Sequence, residues 1–147
     1  MTFLHHTGLT VRDLDRSLGF YRDLLGMEVL FEQEKRGGYL AEIVGYEDAH
    51  VRMVHLAFGG DRHRIELFHY LEPEPLGAAG EPRSVGITHV CLAVEDLAAL
   101  HRRLVAAGVE FYSDPVRLDT GANAGGSAVY LRDPDGITLE LFQPPPE

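Results

Sequence analysis

Two histidines and two glutamates carry the strongest chemical signal in this chain. His6 and His89 head two copies of one pattern: His6-Thr7-Gly8-Leu9-Thr10-Val11-Arg12-Asp13-Leu14 is echoed by His89-Val90-Cys91-Leu92-Ala93-Val94-Glu95-Asp96-Leu97, with His, Leu, Val, Asp and Leu in common. Glu66 and Glu140 lie in the segments that close each copy, Ile65-Glu66-Leu67-Phe68 and Leu139-Glu140-Leu141-Phe142, each a carboxylate alternating with apolar neighbours. Two neutral nitrogen donors and two anionic oxygens balance a dication and leave coordination positions for water or substrate oxygens. If the two copies join about a pseudo-twofold axis, equivalent positions converge, and the four side chains surround one divalent metal.

A lone histidine beside apolar residues is ordinarily structural, and only the fourfold match lifts His6 and His89 above that reading. His5 alternates to the opposite strand face from His6 and reads as packing or surface. His50, His55, His63, His69 and His101 have no partner in the repeat and read as solvated or hydrogen-bonded, with His55 and His69 the two that would support a ligand from behind.

Positioning four side chains takes strands and the helices that fix them. Each opening segment is a short alternating strand that stops at an Asp suited to capping a helix, Asp13 or Asp96. Leu14, Leu18, Tyr21 and Leu25 then share one helical face, with Gly26 at a left-handed cap; Leu97, Leu100 and Leu104 with Gly108 repeat this. Met27 to Gln33, Val51 to Phe58 and Ser127 to Arg132 read as further strands, and Asp133-Pro134-Asp135-Gly136 as a type I turn into the closing strand. Each half is expected to be βαβββ, an α+β pattern. Module 1 spans about 3–70, a linker rich in Pro, Glu, Gly and Ala about 71–85, and module 2 about 86–143, within a single domain 1–147. Residues 37–50, containing Leu40, Ile43 and Val44, suggest a short helix under the sheet with no equivalent in the second half.

Composition narrows the function classes. A chain of 147 residues, 45% hydrophobic and 24% charged, suits one core. Lys+Arg 13 against Asp+Glu 23 gives a net charge of −10, which repels phosphate backbones, so no nucleic-acid partner is expected. The single cysteine, Cys91, can form neither an internal disulfide nor a thiolate zinc knuckle. No basic stretch followed by an apolar run opens the sequence, and no window approaches the roughly 20 apolar residues of a membrane span. The expectation is a cytoplasmic protein with no membrane partner.

In their order and duplication, His6 to Val11, Phe20-Tyr21-Arg22-Asp23-Leu24-Leu25-Gly26, the repeat His89 to Leu97, and Asp133-Pro134-Asp135-Gly136-Ile137-Thr138-Leu139-Glu140 resemble the vicinal oxygen chelate superfamily. That superfamily includes glyoxalase I, methylmalonyl-CoA epimerase, extradiol dioxygenases and the fosfomycin and bleomycin resistance proteins. The resemblance covers nearly the whole chain. It implies two tandem βαβββ modules forming a cup-shaped, eight-stranded mixed sheet around a divalent ion (Ni, Zn, Co, Mn or Fe) held by His6, Glu66, His89 and Glu140, in a homodimer.

Glu66 occupies a place that extradiol dioxygenases and fosfomycin resistance proteins leave without a ligand. The complete set is similar to glyoxalase I, and the epimerase differs in usually having Gln there. Both bind a carbonyl compound at the metal and move a proton on the adjacent carbon through an enediolate or enolate. The resemblance thus implies a metal-dependent isomerase or lyase acting on a small carbonyl or thioester substrate. Glu140 matches the family's base, and Glu66 is its symmetry partner. The runners-up are a ring-cleaving dioxygenase and a non-catalytic protein that binds an antibiotic or metabolite.

Glyoxalase I usually carries an Arg four residues after the first ligand and an Asn four after the second, both serving glutathione. Thr10 and Tyr70 stand there in this chain, so the expectation rests on the proton-transfer chemistry more than on that thiol. Strand alternation groups Gly8 and Thr10 with His6, Cys91 and Ala93 with His89, Arg64 and Phe68 with Glu66, and Thr138 and Phe142 with Glu140. Thr10, Arg64, Phe68 and Cys91 are therefore candidate substrate contacts, Arg64 as a bidentate partner for a carboxylate or phosphate. Tyr130 sits where some family members place a pocket tyrosine.

Overall fold

In the computed structural model, which describes residues 2–146, the first strand, β1 (His6–Thr10), is followed by Asp13 at the head of a helix. The Asp13 carboxylate accepts from the Arg16 amide at 3.0 Å and starts α1 (Leu14–Leu18). Asp96 does the same in the second copy, accepting from the Ala99 amide at 2.8 Å. Both Asp residues of the repeat are therefore helix caps.

The chain divides into two compact units, Met1–Gly77 and Ala78–Glu147. In the first, β2 (Glu28–Arg36), α2 (Tyr39–Val44), β3 (His50–Ala57) and β4 (Arg64–Glu72) complete a four-stranded mixed sheet of order β1-β4-β3-β2, with β1 and β4 parallel. In the second, β5 (Val90–Ala93), α3 (Leu97–Ala106), β6 (Val116–Arg117), β7 (Ser127–Arg132) and β8 (Thr138–Gln143) repeat that order as β5-β8-β7-β6, with β5 and β8 parallel. The α+β expectation is met, the eight strands falling into two four-stranded mixed sheets.

Within the first unit, strand alternation sorts the sheet into two faces. Leu9, Val54, Leu56, Ile65 and Leu67 are buried on one, where α1 packs against β4 and adds Leu14 and Leu18. His6, Gly8, Thr10, Glu66, Phe68 and Tyr70 alternate onto the other. There α2 packs its Leu40 and Val44 with Ala49, Val51, Met53, Phe68 and Tyr70. The short helix expected in 37–50 is thus present, and it lies on the face that carries His6 and Glu66.

The first helix departs from the expected single α-helix through Leu25. After α1 the chain widens into a π-helical turn, Gly19–Leu24, with the Leu25 amide donating to the Phe20 carbonyl at 2.9 Å. The wide turn buries two adjacent rings, Phe20 at 4% and Tyr21 at 1% exposure, which one α-helical stripe accommodates poorly. Gly26 closes it at φ 83°, as the left-handed cap required.

In the second unit, Leu97 and Leu104 of α3 are buried along with Val129, Leu131, Leu139 and Leu141. The Gln143 side chain accepts from the Leu97 amide at 2.9 Å and ties β8 to the head of α3. In the turn before β8, the Gly136 amide donates to the Asp133 carbonyl at 2.9 Å, as a type I turn demands. The buried Asp133 carboxylate also accepts from the Asp135 and Ile137 amides, each at 2.8 Å. Among the described residues no helix is long and apolar enough to cross a membrane.

Candidate functional site

Each unit places its histidine and glutamate face to face. In the first, His6 Nε2 lies 3.5 Å from Glu66 Oε2; in the second, His89 Nε2 lies 3.1 Å from Glu140 Oε2. The parallel pairing of first and last strands produces this. Gly8 registers with Glu66 and Cys91 with Glu140, so the histidine two residues earlier projects beside the carboxylate. A Cβ at Gly8 would sit 3.6 Å from Glu66 Oε2, in ordinary contact with the carboxylate.

Two donors each about 2.1 Å from one ion, at right angles, lie about 3 Å apart. The two nitrogen-to-oxygen spacings therefore fit edges of a coordination polyhedron, and imidazole with carboxylate is a donor set suited to a divalent ion. Each unit offers a pair: among the described residues, no group of three or more His, Cys, Asp or Glu side chains is arranged to hold an ion.

The Glu66 pair has further support. His55, which registers with Glu66 across β3 and β4, brings its Nε2 to 2.9 Å from Glu66 Oε1. An ionised carboxylate only accepts, so Nε2 carries the proton and donates. On the other side, His5 Nδ1 lies 2.8 Å from His6 Nδ1, with the rings 5.1 Å apart. When His6 Nδ1 is the donor in that contact, its Nε2 lone pair is free on the Glu66 side. The opposite-face placement of His5 does not hold. Its carbonyl still accepts from the Arg64 amide at 3.2 Å, but its ring turns toward His6 and His55, with centroids 5.1 and 6.3 Å away.

In the second unit, Glu140 registers with both Cys91 and Tyr130. Burial, and then the Glu140 charge, push the Cys91 thiol up to about 11. The same two causes raise the Tyr130 hydroxyl. The Tyr130 ring leans on His89 with centroids 4.9 Å apart, its hydroxyl 3.3 Å from Nε2. Tyr130 thus occupies the cross-strand place that His55 occupies in the first unit.

An open cavity of about 480 Å³ extends from the His6–Glu66 pair across the first sheet. Gly8, Thr10 and Phe68 line it, as strand alternation anticipated for that face, together with Gln33, Met53 and Tyr70. Burial, then Tyr46 and Glu66, raise the Tyr70 hydroxyl. The outer wall is α2, through Tyr39, Leu40, Ile43 and Val44. Arg64 registers with His6 yet is not part of this lining. Tyr70 was legible as the next alternate residue after Glu66 and Phe68, whereas the α2 wall had no counterpart in the repeat to signal it.

The chain belongs to the Glyoxalase/Bleomycin resistance protein/Dioxygenase superfamily, which it matches over residues 3–141. It is 28% identical over 145 residues to a 2-epi-5-epi-valiolone epimerase of Actinomyces sp, covering 97% of this chain and 79% of the relative. It is 34% identical over 149 residues to a lactoylglutathione lyase of Pseudomonas aeruginosa, covering 95% and 81%. In fold it is similar to a glyoxalase family protein from Bacillus cereus, with a TM-score of 0.88, 20% identity and coverage of 99% of this chain and 96% of the other. The curated relatives it is similar to thus include both a lyase and an epimerase.

Proposed function

We propose that the protein is a metal-dependent isomerase or lyase that moves a proton on the carbon beside the carbonyl of a small substrate. The observation that carries this reading is the duplicated His–Glu pair, His6 with Glu66 at 3.5 Å and His89 with Glu140 at 3.1 Å. The four side chains are read as the ligands of one divalent ion, supplied by one chain or by two copies of it. When bound, the ion supplies Lewis-acid polarisation of the substrate carbonyl and so acidifies the adjacent C–H.

The chain's own residues divide the remaining work. Glu140 takes the proton on a carboxylate oxygen and returns it to the neighbouring carbon or the opposite face, with Glu66 its counterpart. His55 holds Glu66 Oε1 and leaves Oε2 toward His6. Thr10 and Phe68 border the space beside His6 and Glu66, where the substrate is read to sit. Cys91 and Tyr130 flank Glu140. Their weakly acidic groups stay protonated at neutral pH and do not compete for the proton.

The test is metal analysis of the purified protein, followed by incubation of the loaded protein in D2O. The substrates are the hemithioacetal of methylglyoxal with an uncharged thiol and an uncharged 2-methyl-branched thioester. Deuterium at the carbon next to the carbonyl is the expected result, lost in Glu140→Gln. Metal-loaded protein that exchanges neither substrate rejects the reading for these two classes.

A further inference from the structure

The cavity beside the His6–Glu66 pair differs in character from the pair itself. Beyond His6 and Glu66 its walls are Phe68, Tyr70, Met53, Tyr39, Ile43 and their neighbours, with Thr10 and Gln33 as uncharged polar groups. The lining contains no lysine or arginine. Lys35 sits outside it, its ammonium 4.9 Å from the Tyr39 ring. The acid inside is Glu66, with 16% of its side chain exposed, in a chain of net charge −10. An anion carried on the substrate's tail would leave water for the apolar walls of α2 and Phe68, with no lysine or arginine among the lining residues to compensate its lost solvation.

A second observation concerns α2. Ile43 is 75% exposed and Tyr39 55% exposed, although both border the cavity. The helix packs its Leu40 and Val44 into the sheet, so these two apolar side chains are surplus to the fold and are presented along the cavity edge. An apolar cavity of about 150 Å³ suffices for a benzene ring, and this one measures about 480 Å³. It has room for a ring or branched alkyl group and for a two-carbon oxygenated head at Glu66.

From these facts we infer that the substrate is an uncharged carbonyl compound bearing an aryl or branched alkyl group, seated between α2 and Phe68, and that anionic tails are rejected there. Only the carbonyl end of this inference rests on the proton-transfer reading; the tail end rests on the cavity.

Three hydroxyketones with one head and different tails test it: 2-hydroxy-1-phenylethanone, hydroxyacetone, and 4-(2-hydroxyacetyl)benzoate. In the intact metal-free chain, methyl NMR titration follows Leu40, Ile43 and Val44. The phenyl compound is expected to shift these methyls and saturate, binding about tenfold tighter than hydroxyacetone, the scale of burying one ring, and tighter than the benzoate, whose carboxylate loses solvation against apolar walls. Ile43→Asp, at an exposed position, is expected to weaken the phenyl compound, and Ile43→Lys to reverse the order between phenyl and benzoate. Equal or tighter binding of the benzoate to the unaltered protein overturns the inference, as does a phenyl compound that leaves these methyls unmoved. The same compounds in D2O with the metal-loaded protein separate the two ideas. Tail selectivity without exchange sinks the proton-transfer reading alone, and exchange without tail selectivity sinks the inference alone.

Discussion

His55 Nε2 donates to Glu66 Oε1 at 2.9 Å, which leaves Oε2 as the oxygen that faces His6. A carboxylate held by one oxygen has lost the rotation that would present either oxygen at random, so its remaining lone pairs are aimed before any ligand arrives. His55→Leu is expected to lower divalent-metal affinity about tenfold by calorimetric titration, with the far-UV spectrum unchanged. His55→Gln, whose amide also donates, should recover part of the loss. Equal affinity in all three proteins would mean that the contact positions nothing.

Gly8 bears on the same carboxylate from the neighbouring strand. Its missing Cβ would lie 3.6 Å from Glu66 Oε2, an ordinary contact, so Gly8→Ala is expected to bind metal like the parent protein. Gly8→Val adds two methyl groups in the space where the carboxylate sits, and metal affinity should fall about tenfold, the scale of a disturbed ligand orientation. Retained affinity in Gly8→Val would show that Glu66 has another equally good position.

How far the sequence led is visible in these residues. The duplication made the βαβββ succession, both Asp caps and both closing glutamates readable, because a repeated pattern separates constrained positions from incidental ones; the helix at 37–50, which has no repeat partner, is legible from its own apolar residues Leu40, Ile43 and Val44. Residues outside the repeat are legible only in outline: His55 reads as a support for a ligand, but not which ligand it holds. The role of His55 depends on the cross-strand register of β3 with β4, which includes a shift between His50 and Val51 that no periodicity reveals. The π-helical turn at Gly19–Leu24 follows from two adjacent aromatic rings both finding burial, a tertiary demand that overrides helical propensity. Arg64 shared the predicted strand parity but lies outside the cavity lining, since parity fixes the face a residue starts from and not where a long side chain ends.

Asp13 gives a prediction about pH. The backbone hydrogen bond from Arg16 holds its carboxyl below the usual carboxylate range. A carboxyl whose pKa is depressed by folding stabilises the native state above its unfolded value of about 3.9, and that contribution disappears as pH falls through the lower folded value. Asp13→Ala is therefore expected to melt below the parent protein at neutral pH, with the gap in Tm narrowing below about pH 4. Melting curves with a constant gap down to about pH 3 would contradict a capping role for the ionised side chain.

Cys91 reports on Glu140 from the opposite strand. Its thiol is pushed up to about 11, first by burial and then by the Glu140 carboxylate that registers with it. A free cysteine titrates near 8.5, so at about pH 8 the Cys91 thiolate is scarce and alkylation by iodoacetamide should be slow, although the residue reaches the surface and its thiol is only partly desolvated. Glu140→Gln removes the anion and leaves the burial. The midpoint of the rate against pH should then move down, and the rate at fixed pH should rise roughly threefold to tenfold without reaching that of a free thiol. An unmoved midpoint in Glu140→Gln would mean that the two side chains do not feel each other. It would also remove Cys91 as a probe of the residue assigned the proton transfer.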